Sequence, residues 1–361
     1  MYAVRLHAFG PPENLTYEEV PDPLPGPGQV RIRVQAAGVH LLDATLRAGR
    51  RLGPLPLPEL PTVLGREVAG TVTSLGEGTD AGWLGRRVTV HLGAAPGGYA
   101  QLAVADAAAL QAIPETLTPA QAVAMIGTGR TVMGVLHGTD LGPDDTVLVL
   151  SAAGGMGALL TQYAKHRGAH VIGAAGGQDK TAAVSRLGAD LAVDYTRADW
   201  SERIRAAYGE RPVRHLFDGP GGALARTALA LLAPGGTHHA YGGSSTLLSA
   251  VDDPSTTDAP PTTDAPPTAG SPSTHSPGDD TDDSSTQTSG TDEAAARGLT
   301  VRPLDPAFIQ AHKRELEDES LTLAADGVLT PLVHPFPLAQ AAAAHRALET
   351  RGTTGKVVLV P

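Results

Sequence analysis

Thr146-Val-Leu-Val-Leu-Ser151 runs straight into Ala152-Ala-Gly-Gly-Met-Gly157 and then into a helical stretch that ends near Gly168. An apolar strand, a glycine turn and an amphipathic helix, in that order, bring backbone N–H groups and a helix N-terminus to one point, where a pyrophosphate can be held. The turn fits G-x-G-x-x-G with Ala152 in the first place, Gly154 in the second and Gly157 in the third. Gly154 lets the backbone approach phosphates, and Gly157 lets the helix lie close on the strand. Ala153, Gly155 and Met156 complete the turn as candidate cofactor contacts.

Alternating elements continue downstream. Strands are expected at Ala169–Ala174, Leu191–Asp194, Arg214–Asp218 and Thr237–Tyr241, with helices at Asp179–Leu187, Asp199–Tyr208 and Ala223–Leu232 between them. This alternation implies an α/β fold with a doubly wound parallel sheet that binds a dinucleotide. An acidic residue at the end of the second strand would hold the ribose hydroxyls of NAD. Here that strand reads Val171-Ile-Gly-Ala-Ala-Gly-Gly-Gln-Asp-Lys180, with Ala175 in the acid's place. Gly176 and Gly177 leave room for a 2'-phosphate, and Lys180 offers it a cation, the alternative being a solvated helix lysine. The cofactor expected is therefore NADP(H), with Ala175→Asp weakening it.

The 361 residues suggest two domains, with only 4% aromatics, so Ala, Val and Leu must fill the core. With no cysteine, disulfides, thiolate metal ligands and a cysteine nucleophile are excluded. The N-terminus has no signal-peptide pattern and no apolar run could span a bilayer, so a soluble cytoplasmic protein is expected. The net charge of -11 is concentrated in Ser244–Ala296, 53 residues with ten acids, 21 Ser or Thr, seven Pro and no Lys or Arg. That segment contains the tandem repeat Thr256-Thr-Asp-Ala-Pro-Pro261 and Thr262-Thr-Asp-Ala-Pro-Pro267, and it has too little apolar area to offset ordering. It reads as a disordered insert, either a solvated spacer or a lid or docking arm. The near-neutral remainder gives no basic stripe for nucleic acid and no basic amphipathic helix for a membrane.

Before the glycine turn the chain reads as strand and turn. Gln29-Val-Arg-Ile-Arg-Val-Gln35 alternates strictly, and Glu67–Leu75 and Arg87–His91 are further strand candidates. Thr118-Pro-Ala-Gln121 is a capping box that starts a helix at the passage between domains. After the insert, Gly298–Pro303 suits a sixth strand and Pro306–Asp326 a helix, and the final strand, helix and strand should return to the first domain. The expected division is 1–121 for a β domain, 122–249 and 298–326 for the nucleotide domain, 250–297 for the insert, and 327–361 for the return.

These stretches together resemble the medium-chain dehydrogenase/reductase superfamily, in its zinc-free quinone oxidoreductase branch. The resemblance rests on Pro21–Val30, Ala37-Gly-Val-His-Leu-Leu-Asp43, Leu64-Gly-Arg-Glu-Val-Ala-Gly-Thr-Val72, Gly97-Gly-Tyr-Ala100, the glycine turn, Leu187-Gly-Ala-Asp190 and Gly355-Lys-Val-Val-Leu359. It implies a GroES-like β domain plus a Rossmann domain, a cofactor in the cleft between them, a small-molecule substrate and a homodimer. Zinc-dependent relatives use Cys and His ligands, whereas this chain has no Cys and carries Arg66 where Gly-His-Glu would supply a histidine. No metal is therefore expected, and neighbouring His238 and His239 should lie on opposite faces of a strand.

The resemblance further implies that Thr131 lies beside the nicotinamide, Tyr195 near the adenosine phosphate, and Gly242, Gly243 and Ser244 on the loop approaching the nicotinamide. A helix-cap threonine and a surface tyrosine are the plainer alternatives. On the substrate side His40 replaces an Asn, Thr45 stands where a pocket tyrosine occurs, and Arg130 and Met133 replace apolar and aromatic residues. Without zinc, charge on a substrate oxygen must be met by donors such as His40 or Arg130. His40, with Asp43 as its partner, is the candidate proton donor or orienting group; the alternative is a histidine satisfied within a turn. Three functions follow: an NADPH-dependent reductase of quinones or α,β-unsaturated carbonyls, an enoyl-thioester reductase, or an NADPH-binding module without turnover.

Overall fold

The computed structural model describes residues 1–51, 56–93, 97–244 and 298–361; the acidic insert lies outside the described residues. The first domain contains β1 (Tyr2–Leu6), β2 (Leu15–Glu19), β3 (Gln29–Gly38), β4 (Thr62–Val63), β5 (Glu67–Leu75), β6 (Arg87–His91), β7 (Leu102–Asp106) and β8 (Gln111–Ala112). The alternation in β3 works as its pattern dictates: Val30, Ile32 and Val34 are buried, and Arg33 and Gln35 face out. One short helix, α1 (Leu41–Arg47), follows β3 directly. The passage to the second domain is α2 (Pro119–Ala124), a π turn at Met125–Gly129 and α3 (Arg130–Leu136). Thr118 and Gln121 close the capping box that starts α2.

The second domain is the expected crossover array. Strands β9 (Thr146–Leu150), β10 (His170–Ala175), β11 (Leu191–Asp194), β12 (Val213–Asp218), β13 (Leu232–Ala240) and β14 (Thr300–Pro303) alternate with α4 (Gly155–His166), α5 (Gln178–Arg186), α6 (Trp200–Tyr208) and α7 (Gly222–Leu229). The strands lie in the order β11-β10-β9-β12-β13-β14, all parallel. The order reverses at β9, so the glycine turn after it opens on the crevice where doubly wound sheets bind ligands. On β13, His239 is buried against Phe217 and His215, whereas His238 reaches Asp218 at 3.0 Å from the opposite face.

Most boundaries shift by a residue or so from the sequence reading, and two places depart from it further. The helix expected to reach Leu232 ends at Leu229, and Leu232 already pairs with Val213 ahead of a bulge that restores register at Thr237. The helix expected over Pro306–Asp326 is broken at His312, whose ring nitrogen lies 3.0 Å from the Phe308 carbonyl one turn back. The His312 backbone N–H bonds the same carbonyl, so ring and backbone share one acceptor at the break.

The chain then returns to the first domain. β15 (Val333–Pro337) and β16 (Lys356–Val360) pair in parallel, the helix Ala341–Glu349 lies between them, and β16 adds antiparallel to β3. Among the described residues no helix is long and apolar enough to cross a membrane.

Candidate active site

Local packing sets the glycine turn. Ser151 leaves β9 in the left-handed region (φ 52°), and Gly154 caps α4 with no side chain bonding to the first turn. The first-turn N–H groups, which have no acceptor inside their own helix, are thus left to the cleft. A Cβ at Gly157 would overlap the Ser151 carbonyl, so glycine is required there for α4 to approach β9. The turn is stitched to the first domain, because Gly355 N–H donates to Ala153 O at 2.7 Å and Gly154 and Gly355 form an isolated bridge.

A cleft of about 320 Å³ opens at this seam. It is lined by Ala153, Gly154, Gly155, Met156 and Gly157 from the turn, by Gly176, Lys180 and Tyr195 after β10 and β11, and by Ser244 after β13. His40 and Lys356 line it from the first domain. Gly176 is roofed by Tyr195, whose ring lies 3.0 Å from where a Cβ would stand. Lys180 Nζ donates to Arg351 O at 2.5 Å, and Arg351 itself lines the cleft. Burial and the Arg351 charge push the Lys180 ammonium down. Two cations from different domains therefore meet beyond Ala175.

His40 N-caps α1, and the Asp43 carboxylate bonds its backbone N–H in a capping box. The Asp43 carboxylate is wholly buried, where it accepts from the His40 backbone N–H at 2.8 Å and from Tyr99 O–H at 3.0 Å. The ring partner is instead Glu67: Nε2 lies 2.6 Å from Glu67 Oε2. Lys356 Nζ is 3.0 Å from the same oxygen and 2.6 Å from His40 Nε2. Glu67 is wholly buried in β5, in a seat where a Cβ at Gly38 or Gly127 would overlap its carboxylate. Burial alone would raise the acid, but His40 and Lys356 outweigh it and hold the Glu67 carboxyl well below the usual range. Nearby His91 is neutral, its pKa pushed down to about 3 mainly by burial, and its Nδ1 accepts from Gly93 N–H.

Other anticipated residues stand outside the cleft lining. Arg130 is paired with Glu317 at 3.0 Å, so its charge is already met. Thr131 Oγ1 donates to Gly127 O at 2.9 Å, and it is Thr128, within the π turn, that lines the cleft. Gly242 and Gly243 precede the lining residue Ser244; a Cβ at Gly242 would stand 2.6 Å from Gly219 O. Thr45 and Met133 are buried. In the sequence Glu67 and Lys356 stand out only as parts of fold-bearing stretches, Leu64–Val72 and Gly355–Leu359. A charged residue opening an apolar strand, as in Lys356-Val-Val-Leu-Val360, needs a partner, and that was the signal available.

The comparisons with known proteins agree with this architecture. Residues 26–115 match the alcohol dehydrogenase GroES-like domain and residues 155–258 the zinc-binding dehydrogenase family. Although the second description names zinc, Arg66 Nε donates to Gly93 O, and among the described residues no three His, Asp or Glu side chains converge as metal ligands. The chain is 30% identical to a 2-haloacrylate reductase of Burkholderia sp over 99% of its own length and 98% of the relative's. It is 28% identical to quinone oxidoreductase 1 of Escherichia coli K12, over 99% of both. The crystal structure of E. coli quinone oxidoreductase complexed with NADPH covers 100% of both chains with a TM-score of 0.76 at 26% identity. The chain belongs to the medium-chain dehydrogenase/reductase superfamily, in its quinone oxidoreductase branch.

Proposed function

We propose that this chain is an NADPH-dependent oxidoreductase that transfers hydride to a quinone or an α,β-unsaturated carbonyl compound. The observation that carries the reading is one cleft lined by an uncapped glycine turn, the Lys180 and Arg351 cations, and His40 with Lys356. A diphosphate needs N–H donors, a 2'-phosphate needs cations, and an acceptor whose oxygen becomes anionic needs hydrogen-bond donors. The residues present fit NADPH: Ala153 to Gly157 would hold the diphosphate, Lys180 and Arg351 the 2'-phosphate, and Gly176 under Tyr195 the adenosine side. Ser244, with Gly242 and Gly243 behind it, and the Thr128–Thr131 turn would border the nicotinamide.

When bound, the reduced nicotinamide supplies the hydride. The protein's share is position and electrostatics. His40 reaches the cleft with a ring nitrogen already anchored, which orients it toward an acceptor oxygen. Asp43 supports it indirectly, by fixing the backbone at the start of α1, and Arg130 supports the wall through Glu317. The names of the two curated relatives, a 2-haloacrylate reductase and a quinone oxidoreductase, both describe conjugated acceptors. A homodimer belongs to the same reading and is checked by analytical ultracentrifugation.

The test mixes the protein with NADPH or NADH and follows nicotinamide oxidation against a benzoquinone, a 2-alkenal, a 2-chloroacrylate, an enoyl thioester and a saturated aldehyde. Rapid loss of NADPH with a conjugated acceptor, and none with the saturated aldehyde, is expected. Tight NADPH binding with every acceptor untouched would replace the reading with a binding module that does not turn over.

A further inference from the structure

Hydride transfer to a conjugated carbonyl or a quinone leaves a negative oxygen that must gain a proton. We propose that Lys356, fixed by Glu67 and His40, is the catalytic residue that gives this proton, and that His40 relays its replacement from solvent. The proposal rests on the reading of the cleft as the site of such a reduction.

The geometry is specific. Lys356 follows Gly355, whose N–H is tied to Ala153 O in the glycine turn, so the lysine is delivered beside the cofactor loop. It is only 5% exposed, yet it lines the cleft. An ammonium has three N–H donors. One meets His40 Nε2 at 2.6 Å, the charge is balanced by Glu67 Oε2 at 3.0 Å, and the cleft is left for what remains.

His40 Nε2 lies 2.6 Å from both Lys356 Nζ and Glu67 Oε2 and can serve only one of them at a time. A bare Nε2 accepts from Lys356; a protonated Nε2 faces Glu67. With one mobile proton on either nitrogen, the buried cluster keeps one carboxylate and one cation, so transfer between the nitrogens creates no unbalanced charge. Burial also outweighs the Glu67 and Asp43 charges and pushes the Lys356 ammonium below its ordinary range, the direction that eases proton release. The His40 side chain is 31% exposed and so connects the cluster to water. Neighbouring groups are hydrogen-bonded elsewhere: Asp43 with His40 N–H and Tyr99, His91 with Gly93 N–H, and Arg130 with Glu317; the Asp43 carboxyl, itself pushed up by burial, acts on Lys356 and the His40 ring only through space.

The step balances. The acceptor takes a hydride, two electrons and one proton, as the nicotinamide is oxidised, and its oxygen becomes anionic. An N–H bond of Lys356 then breaks as an O–H bond forms on the acceptor. The neutral amine regains a proton through His40, and water supplies it.

The experiment compares Lys356→Met, Lys356→Arg and the double variant Lys356→Met/Glu67→Gln, which also removes the buried carboxylate that has lost its ammonium, in case the single variant does not fold. Measured are NADPH affinity, single-turnover NADPH oxidation with the fastest acceptor, its solvent deuterium isotope effect, and the ¹⁵N shifts of the His40 ring. We expect NADPH affinity within about threefold of wild type and reduction slowed about 100-fold or more in every variant, Arg included, because a guanidinium keeps the charge but does not give up a proton. The wild type should show a bare His40 Nε2, which becomes protonated toward Glu67 in Lys356→Met. Reduction by Lys356→Met or Lys356→Arg within about threefold of wild type would overturn the proposal, as would a protonated Nε2 in wild type that Lys356→Met leaves unchanged. A wild type inert to all acceptors, with the expected ring state, would overturn the proposed function and the proton step with it, while leaving the cluster's geometry standing.

Discussion

Ala175 ends β10 with a methyl group at the corner where Lys180 and Arg351 approach each other. Ala175→Asp puts a carboxylate beside the proposed 2'-phosphate and draws off its cations, and Lys180→Met removes one. Each is expected to weaken NADPH by about 1.5–3 kcal/mol, roughly 10- to 100-fold, with NADH much less affected. Fluorescence titration of both cofactors measures this, and unchanged NADPH affinity in both variants would move the phosphate elsewhere. Lys180 was legible because a lysine just beyond a glycine pair is a local signal; Arg351 was not, since it arrives from the other domain. His40 shows the same limit. Asp43, three residues on, looked like its partner, but a carboxylate at that position in a first turn is claimed by the backbone N–H that starts the helix. The ring instead meets Glu67 and Lys356, the latter 316 residues away. Asp43→Ala is accordingly expected to cost about 1–3 kcal/mol of stability in urea unfolding, with kcat largely kept in the folded fraction.

At the scale of elements, the glycine turn separates packing from binding. Gly157 is needed for packing, because any side chain strikes the Ser151 carbonyl; Gly154→Ala would place a methyl 3.2 Å from that oxygen, which a small shift absorbs. Gly157→Val should therefore unfold the domain or cost about 3 kcal/mol or more, whereas Gly154→Ala should change stability by no more than about 1 kcal/mol while weakening NADPH at least tenfold. Equal effects of the two on stability would contradict the division of labour. The crossover pattern was legible because each strand and helix carries its own period. The breaks were not: Leu231 and Leu232 extend an apolar pattern that suits the end of a helix and the start of a buried strand equally well. The π turn that brings Thr128 into the cleft depends on packing against Glu67 and Ser320, which no local pattern shows.

For the molecule as a whole, acid is the expected weakness. Burial pushes His91, His239 and His345 down to about 3, so these rings stay neutral when folded and take up protons on unfolding below about 6.5. Between those values the unfolded state binds more protons, so stability rises with pH and is lost as pH falls. Each ring contributes about 1.4 kcal/mol to the loss between pH 7.5 and 5.5, about 4 kcal/mol for the three. Glu67 adds loss in the same direction only further down, below the ordinary carboxylate range. Denaturant unfolding at the two pH values measures the slope, and His345→Gln should flatten it by about a third. A pH-independent midpoint would mean that these rings are not held neutral.

The pairing of β16 with β3 also sets an order of events during synthesis. Gly38 and Ala37 at the end of β3 wait for Val358 and Leu359, which leave the ribosome only after the whole nucleotide domain has emerged. Until then this end of β3 carries an open edge, and Glu67 has His40 beside it but not the Lys356 ammonium. A chain that stops before residue 356 therefore has neither a closed β3 edge nor a complete cleft, so folding of the first sheet and assembly of the site finish together.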